Sequence, residues 1–266
     1  MIAGRSGDLV WRAIALVLLG AGALVPLAVL LLQSAAAPWF YPALLLDALA
    51  LDGWAAALSP AMREALSRSL LIGIMVAAVA TPIAATVGRA VAQLDGWRLH
   101  LGAALVFLPV AAPPIAIATG LQVVILRAGA GGTTAGVVLA HLVPAVGYLT
   151  LYFIGVFRAY DDRVEEAART LGASRWHTLV RVHLPLLRRP LAEAAMLGFL
   201  VSWAQYALTL VIGGGAVRTL PLTVYSLVRA GQDQQAAIGA LLLITPAALA
   251  LTALGLAARR TTVVAV

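Results

Sequence analysis

The segment RAYDDRVEEAARTLGASRWHTLVRVHLPLLRRP, residues 158–190, is the most informative part of the sequence. It is a long polar, charge-dense segment in a chain that is otherwise dominated by apolar residues. Asp162 followed three residues later by Glu165 predicts a helix start, because a short carboxylate accepts amide hydrogens of the first helical turn. The apolar positions of this helix form one stripe at helical spacing: Val164, Ala167, Ala168 and Leu171. The charged residues Glu165, Glu166 and Arg169 lie around this stripe.

Gly172 is expected to end this first helix in a left-handed turn, since glycine adopts that backbone conformation without a steric cost. Ser174 predicts the cap of a second short helix. Pro185 is expected to end that second helix, because proline lacks an amide donor and cannot continue a regular α-helix. The segment 158–190 is therefore predicted to form a helix, a turn and a second helix.

The composition of the whole chain indicates an integral membrane protein. Apolar residues make up 62% of the 266 residues, charged residues 11%, and the mean hydropathy is +0.99, whereas soluble domains contain about 25% charged residues. The net charge of +7 comes from arginine, since the sequence contains no lysine. The absence of cysteine excludes disulfides and thiolate metal sites. We predict a single transmembrane domain over residues 1–266, with the segment 158–190 as a loop within it.

Six hydrophobic segments are each long enough to cross a bilayer, which needs about 20 residues as a helix. They cover residues 13–32, 66–87, 99–126, 134–157, 191–212 and 236–258. Pro109, Pro113 and Pro114 predict a kink or break in the third segment, because each proline removes a helical hydrogen bond. A broken membrane helix is tolerated where it borders protein or a water-filled cavity, and a lipid-facing kink is the alternative.

Polar side chains cluster at membrane depth in the fifth segment. Because unpaired polar groups are costly in lipid, such residues face either a water-filled path or a neighbouring helix. The candidates for a translocation path are Ser202, Gln205, Tyr206 and Thr209. Glu193, near the start of this segment, is expected to pair with Arg189 four residues earlier.

The distribution of arginine predicts the orientation in the membrane. With both termini and residues 158–190 in the cytoplasm, thirteen of the eighteen arginines lie inside. The five that remain outside or near that boundary are Arg63, Arg68, Arg127, Arg218 and Arg229. This orientation is favoured because positively charged loops are retained in the cytoplasm. We predict a multi-pass protein of a bacterial-type inner membrane.

The spacing within residues 158–190 resembles the EAA motif of permease subunits of ATP-binding-cassette (ABC) importers. The matching positions, which reproduce the family spacing, are Glu166, Ala167, Ala168, Gly172, Val182, Leu184 and Pro185. A common isoleucine of the motif is replaced by Val182. The resemblance implies an all-α fold of the type I importer kind, with six transmembrane helices and a cytoplasmic coupling helix between the fourth and fifth.

The resemblance also implies the partners and the roles of these residues. The coupling helix would dock into a groove of an ATPase subunit, which would carry ATP and Mg, while this chain holds no cofactor and catalyses no reaction. Glu166 would contact or orient the groove, the small Ala167 and Ala168 would permit close approach, and Gly172 would make the turn. A second permease subunit, more readily a different one than a copy, and a substrate-binding protein would complete the importer.

The segment 213–235 resembles, less specifically, the outer loop that follows the fifth helix in iron, thiamine and spermidine/putrescine permeases. That likeness implies a small polar solute, and an amphipathic hairpin at the membrane interface is the alternative interpretation of the segment.

Two other classes of function compete with an importer permease. A secondary transporter or channel would work without ATP, and a membrane-anchored nucleic-acid binder would use the arginine-rich helix-turn-helix. The apolar flanks disfavour nucleic-acid binding, and we expect the bilayer and protein partners instead.

Overall fold

The computed structural model describes residues 3–37, 48–57, 59–161 and 163–262, and this part of the chain is helical apart from short connections and an isolated bridge between Ala36 and Leu49. The helices are α1 (Ala3–Ser34), α2 (Asp52–Ala57), α3 (Pro60–Ala92), α4 (Gly96–Ala111), α5 (Pro114–Arg127), α6 (Thr134–Arg158), α7 (Arg163–Thr170), α8 (Arg175–Thr178), α9 (Leu184–Trp203), α10 (Ala207–Gly213), α11 (Leu220–Arg229) and α12 (Asp233–Thr262). A π-helical turn, Leu179–His183, joins α8 to α9.

The helices account for the six predicted membrane spans. Four are long and apolar enough to cross a bilayer alone: Trp11–Ser34 of α1, α3, α6 and Asp233–Ala250 of α12. Two bent pairs, α4 with α5 and the α8–α9 helix with α10, bring the number to six if each pair is one span. The prediction of an all-α, six-span membrane protein is thus confirmed.

The break predicted in the third span is confirmed between Ala111 and Pro114. The axes of α4 and α5 meet there at 94°. Pro114 begins α5, where a missing amide costs no helical hydrogen bond. Pro109, by contrast, remains inside α4.

The fifth span is also broken, which corrects the prediction of a continuous helix over residues 191–212. The chain bends by 62° between α9 and α10, at Ala204–Tyr206. Neither proline nor glycine occurs at these three positions, so no local signal marks the break. Its cause lies in the side-chain contacts on either side of it, which are described with the site below.

The second helix of the loop does not end at Pro185, which corrects a further prediction. The helix passes from α8 through the π-helical turn into α9, and the Leu184 amide donates to the Leu179 carbonyl at the end of that turn. Because the wider turn shifts the hydrogen-bond register, Pro185 falls in the first turn of α9, where proline is tolerated. Residues 175–203 therefore form one helical element that joins the loop to the fifth span.

The chain contacts divide into two compact units. One comprises Met1–Arg63 and Thr223–Thr245, and the other comprises Glu64–Leu222 and Pro246–Val266. In the first, the Gln234 amide donates to the Ala50 and Ser34 carbonyls at 2.5 and 3.3 Å. The prediction of one permease domain concerns the whole chain in the membrane and stays a prediction.

The second unit holds a continuous core in which α6 is central. Phe153, Leu149 and Leu208 are among its fully buried side chains. Small residues permit α3 to lie directly on α6: a Cβ added to Gly88 would stand 2.5 Å from the Phe153 Cβ atom and 3.2 Å from the Thr150 carbonyl oxygen. Such small residues are typical of close helix packing in membranes.

Candidate functional site

The loop over residues 158–190 has the predicted helix, turn and helix at its start. Gly172 adopts a φ of +85°, the left-handed region that glycine favours. The amides of Gly172 and Ala173 donate to the Arg169 and Ala168 carbonyls at 2.9 and 3.1 Å, which closes the end of α7. The Ser174 hydroxyl accepts from the His177 amide at 3.2 Å, so the predicted cap of α8 is confirmed.

The predicted cap at the start of α7, Asp162, lies outside the described residues. Its neighbour Asp161 accepts the Arg163 amide at 3.0 Å through its carboxylate. A carboxylate therefore caps the entry to α7, one residue before the predicted position.

The burial on α7 is the reverse of the usual amphipathic pattern. Leu171, just past its end, is 88% exposed, and Trp176 on α8 is 73% exposed. Glu165 is buried, with 5% of its surface exposed. We group four of the exposed apolar side chains in this loop under the name coupling surface, after the coupling helix that the resemblance implies: Val164, Leu171, Trp176 and Leu179.

The remaining motif residues lie around this surface or lead away from it. Glu166 and Ala167 are exposed on α7, and Ala168 is half-buried. Val182 is half-buried in the π-helical turn, while Leu184 and Pro185 are exposed at the start of α9.

Glu165 is held by a set of side chains that we call the inner charge cluster: Arg89, Tyr160, Glu165 and His183. Arg89 on α3 donates from both guanidinium amino groups to the two carboxylate oxygens, at 3.1 and 2.9 Å. His183 also hydrogen-bonds Glu165 through Nδ1. Sequence reasoning missed Arg89 and His183, although a histidine between Val182 and Leu184 in an apolar helix was the available signal.

A cavity lies where the two broken spans meet. One part, of about 290 Å³, is lined by the Pro109–Pro114 stretch, Tyr148 and Gln205. An adjoining part, of about 420 Å³, is lined by Pro114, Tyr148, Gln205 and Tyr206. The polar side chains along both parts are phenols and an amide, and no carboxylate lines either part.

The other two candidate path residues, Ser202 and Thr209, do not line this cavity. Both are buried against His141 on α6, whose Nδ1 lies 2.9 Å from the Ser202 hydroxyl and whose Nε2 lies 3.0 Å from the Thr209 hydroxyl. Thr209 donates its own proton to the Gln205 carbonyl at 3.2 Å. In the neutral imidazole, Nε2 is then the protonated nitrogen that donates to Thr209, and Nδ1 accepts from Ser202.

His141 thus bridges the break in the fifth span, because Ser202 belongs to α9 and Thr209 to α10. The bend at Ala204–Tyr206 is held by hydrogen bonds to a neighbouring helix rather than by a local sequence signal. Those same bonds leave Gln205 and Tyr206 at the cavity.

The Arg189–Glu193 pair predicted at the inner end of the fifth span is confirmed. The Arg189 Nε donates to Glu193 Oε1 at 2.9 Å. The Tyr152 hydroxyl also donates to this carboxylate, at 2.6 Å. Both carboxylate oxygens of Glu193 are therefore engaged in hydrogen bonds within the protein.

A protein-family model described as "binding-protein-dependent transport system inner membrane component" matches residues 1–263. The chain belongs to this family. The permease is 30% identical over 225 residues to the molybdenum transport system permease protein ModB of Mycobacterium tuberculosis, covering 77% of this chain and 83% of that one. It is 24% identical over 182 residues to the spermidine/putrescine transport system permease protein PotC of Escherichia coli K12, covering 68% and 69%.

A crystal structure of a bacterial ABC transporter that imports the polysaccharide alginate shares the fold of this permease. The TM-score is 0.69 at 16% sequence identity, and the match covers 96% of this chain and 97% of that one. The resemblance drawn from the EAA spacing is therefore confirmed for the family, the fold and the class of function. The permease is a transport component of an ABC importer.

We predict that His141 stabilises the permease by bonding the two halves of the fifth span. His141→Leu removes the ring nitrogens that hydrogen-bond the buried Ser202 and Thr209 hydroxyls, and Thr209 keeps only its bond to the Gln205 carbonyl. A buried group left unsatisfied costs about 1–3 kcal/mol. The expected result is a clear fall in the thermal midpoint of the purified permease, followed by tryptophan fluorescence. His100→Leu is the control, because His100 is exposed and hydrogen-bonds the Gly96 carbonyl of its own helix. Equal midpoints for the two variants would contradict the prediction.

Proposed function

We propose that the permease takes its energy from separate ATPase subunits that bind the coupling surface. The observation that carries this proposal is the exposure of large apolar side chains, Leu171 and Trp176 above all, on a short polar loop. An apolar patch rimmed by charged residues is typical of a protein-binding site. ATP and Mg would be held by the partner, since the sequence of this chain contains no phosphate-binding loop.

The remaining motif residues fit roles around that interface. Glu166 and Ala167 are exposed beside the coupling surface, where a carboxylate and a small side chain can meet a groove. The helical element over residues 175–203 then connects Trp176 to the break at Ala204–Tyr206. At 1.5 Å per residue this element is roughly 43 Å long, so a displacement at the ATPase interface reaches the cavity through one helix.

The same proposal sets the orientation and the other partners. The arginine asymmetry supports a cytoplasmic position for both termini and for residues 158–190. The apolar side chains of α1 are exposed along the Trp11–Ser34 span, which suits contact with lipid and with a second permease subunit. A substrate-binding protein would deliver the solute on the outer side.

We further propose that the solute is a small oxyanion of the molybdate kind. ModB relatives from Mycobacterium tuberculosis and Azotobacter vinelandii are each 30% identical to the permease. The cavity at the two breaks offers Tyr148, Gln205 and Tyr206, which are neutral hydrogen-bonding groups, and no carboxylate lines it. A polyamine carries several positive charges and would be better matched by a carboxylate-lined path. We therefore favour an oxyanion over a polyamine as the solute, despite the similarity to PotC.

Reconstitution tests both parts of this proposal. The permease is placed in proteoliposomes with its cognate ATPase and binding protein, and accumulated molybdenum is measured by mass spectrometry, with radiolabelled spermidine as the comparison solute. We expect molybdate uptake that requires ATP on the side of the vesicle membrane that the ATPase subunits face. Spermidine uptake alone would overturn the solute, and uptake without the ATPase would overturn the coupling in favour of a secondary transporter.

A prediction about the path follows from the cavity lining. Gln205→Ala removes an amide that lines both parts of the cavity, so molybdate uptake at saturating binding protein should fall about tenfold while the complex still assembles. Gln93→Ala, an exposed glutamine just past the end of α3, is the control. Unchanged uptake and unchanged substrate-stimulated ATPase activity in the Gln205 variant would remove Gln205 from the path.

A further inference from the structure

The inner charge cluster joins the loop over residues 158–190, from here on called the coupling loop, to the second span, α3, through an ion pair whose carboxylate is buried. The side chain of Glu165 is only 7% exposed, whereas that of Arg89 is 31% exposed. The two-point contact between guanidinium and carboxylate fixes both the distance and the relative orientation of the two groups. Arg169 also approaches this carboxylate, but at 3.8 Å and from an exposed position, where an ion pair contributes little.

Aromatic side chains enclose the ion pair and restrict its movement. The Phe157 ring, at the end of α6, lies under the Arg89 guanidinium at 5.8 Å and stacks on the His183 ring at 6.0 Å with an angle of 11°. The Tyr160 ring meets His183 edge to face at 5.5 Å. The pair is therefore held from α3, from the end of α6, from α7 and from the π-helical turn at once.

The carboxylate of Glu165 stays ionised in this setting. Burial by itself would raise its pKa, but the hydrogen bonds and charges of Arg89 and His183 outweigh burial and lower the pKa below its ordinary value. Its anionic form is thus stabilised at neutral pH and is lost only when the pH falls through the lowered pKa. Loss of Arg89 would remove the two-point contact from this buried carboxylate and leave it only the weaker support of His183 and Tyr160, and breaking a buried ion pair at one partner is destabilising.

Arg89 is also tightly positioned by its own helix. The preceding residue, Gly88, is the point where α3 lies directly against Phe153 and the Thr150 carbonyl of α6. There is no space between the two helices for a side chain, so α3 is closely packed just before Arg89. A displacement of Glu165 would therefore be passed to the body of α3 rather than be absorbed by a loose helix end.

We propose that Arg89 is a positioning residue for coupled transport, and that its bond with Glu165 transmits movement of the coupling loop to the second span. This inference rests on the proposed function, because it requires an ATPase that moves the loop. It adds a second route beside the helix over residues 175–203. The loop then acts on α3 through Glu165 and on the fifth span through α9.

The competing explanation is that the ion pair only stabilises the fold of the loop. Apolar replacement of both partners distinguishes a role in transmission from a role in stability. A buried ion pair can often be exchanged for apolar side chains without loss of stability. The test variants are Arg89→Met, Glu165→Met and the double variant R89M/E165M. The control is Glu64→Met, which removes the exposed Glu64–Arg68 pair, 2.8 Å apart, on the same helix.

The experiment uses the full permease reconstituted with its ATPase and binding protein, and measures three quantities: the amount of bound ATPase, the thermal midpoint, and the solute transported per ATP hydrolysed. We expect each single variant to lose stability and the double variant to regain it. The double variant keeps every residue of the coupling surface, so the ATPase should bind it as it binds the wild type. Transport per ATP should still fall at least tenfold, and the Glu64 variant should match the wild type.

Recovery of wild-type transport per ATP in R89M/E165M would overturn the inference, since the charged bond would then serve only stability. A double variant that regains neither stability nor bound ATPase would also overturn it, because the pair would then be part of the fold of the loop. Failure of the proposed function looks different. In that case the wild-type permease itself shows no ATP-dependent uptake, whatever the variants do.

Discussion

Leu171→Asp combined with Trp176→Ala is expected to release the ATPase subunits from the permease. These are the two most exposed apolar side chains of the coupling surface, at 88% and 73%. Burial of one such side chain contributes about 1.5–3 kcal/mol, and the aspartate adds the cost of desolvating a charge. Since each 1.4 kcal/mol is tenfold in affinity, we expect binding at least about 100-fold weaker. The measurement is titration of the purified ATPase onto the permease in nanodiscs.

Trp97→Ala is the matched control for this prediction. Trp97 is 70% exposed, close to the value for Trp176, but it lies at the start of α4 outside the coupling loop. This variant should bind the ATPase with wild-type affinity. If Trp97→Ala weakened ATPase binding as much as the double variant does, exposed tryptophans would act through the membrane or through general stability. The coupling surface would then not be the ATPase-binding site.

Gly172→Val is expected to reduce coupled transport strongly while the permease still inserts into the membrane. The space around Gly172 is open, with no atom within 4 Å of an added Cβ, so the effect comes from the backbone alone. A β-branched residue at a φ of +85° is strained by roughly 1–2 kcal/mol or more. The turn should relax to another conformation and misplace Leu171 and Trp176 relative to each other. Uptake and stimulated ATPase activity should both fall about tenfold or more, as measured in proteoliposomes.

Two further variants show whether the effect depends on position and on backbone conformation. Gly129→Val places the same strain at a φ of +69°, also in open space, in the turn between α5 and α6. It should leave coupling unchanged. Gly172→Asn should keep most of the activity, because asparagine tolerates the left-handed region better than valine does. Wild-type coupling in Gly172→Val would contradict the proposed role of the turn.

Much of the coupling loop could be predicted because its signals are local. A left-handed glycine, a serine cap and a carboxylate at a helix start each act within a few residues, and the structure has all three in or next to the expected positions. The six spans are equally local, since about twenty apolar residues suffice to cross a bilayer as a helix. The break at Ala111–Pro114 follows from proline chemistry alone.

The burial of Glu165 could not be predicted from its own helix. On a helical wheel it lies beside an apolar stripe and is expected in solvent. Its burial becomes favourable through contacts with other parts of the chain, above all with Arg89, 76 residues earlier, and with His183. The same holds for the fifth span. Its bend depends on His141, which is more than sixty residues before Ser202 and Thr209. Periodicity carries no information about such pairings.

Sequence alone was enough to predict the class of protein, the number of spans, the break at Pro113 and Pro114, and the helix, turn and helix that mark the importer family. These depend on hydropathy, on backbone conformation and on spacing, all of which are readable within one segment. Tertiary contacts were needed to establish which face of α7 is buried, which of the polar residues in the fifth span reach the cavity, and where that span breaks. Those outcomes depend on hydrogen bonds and charges supplied by distant helices, and a buried polar group takes whichever partner the fold brings within reach.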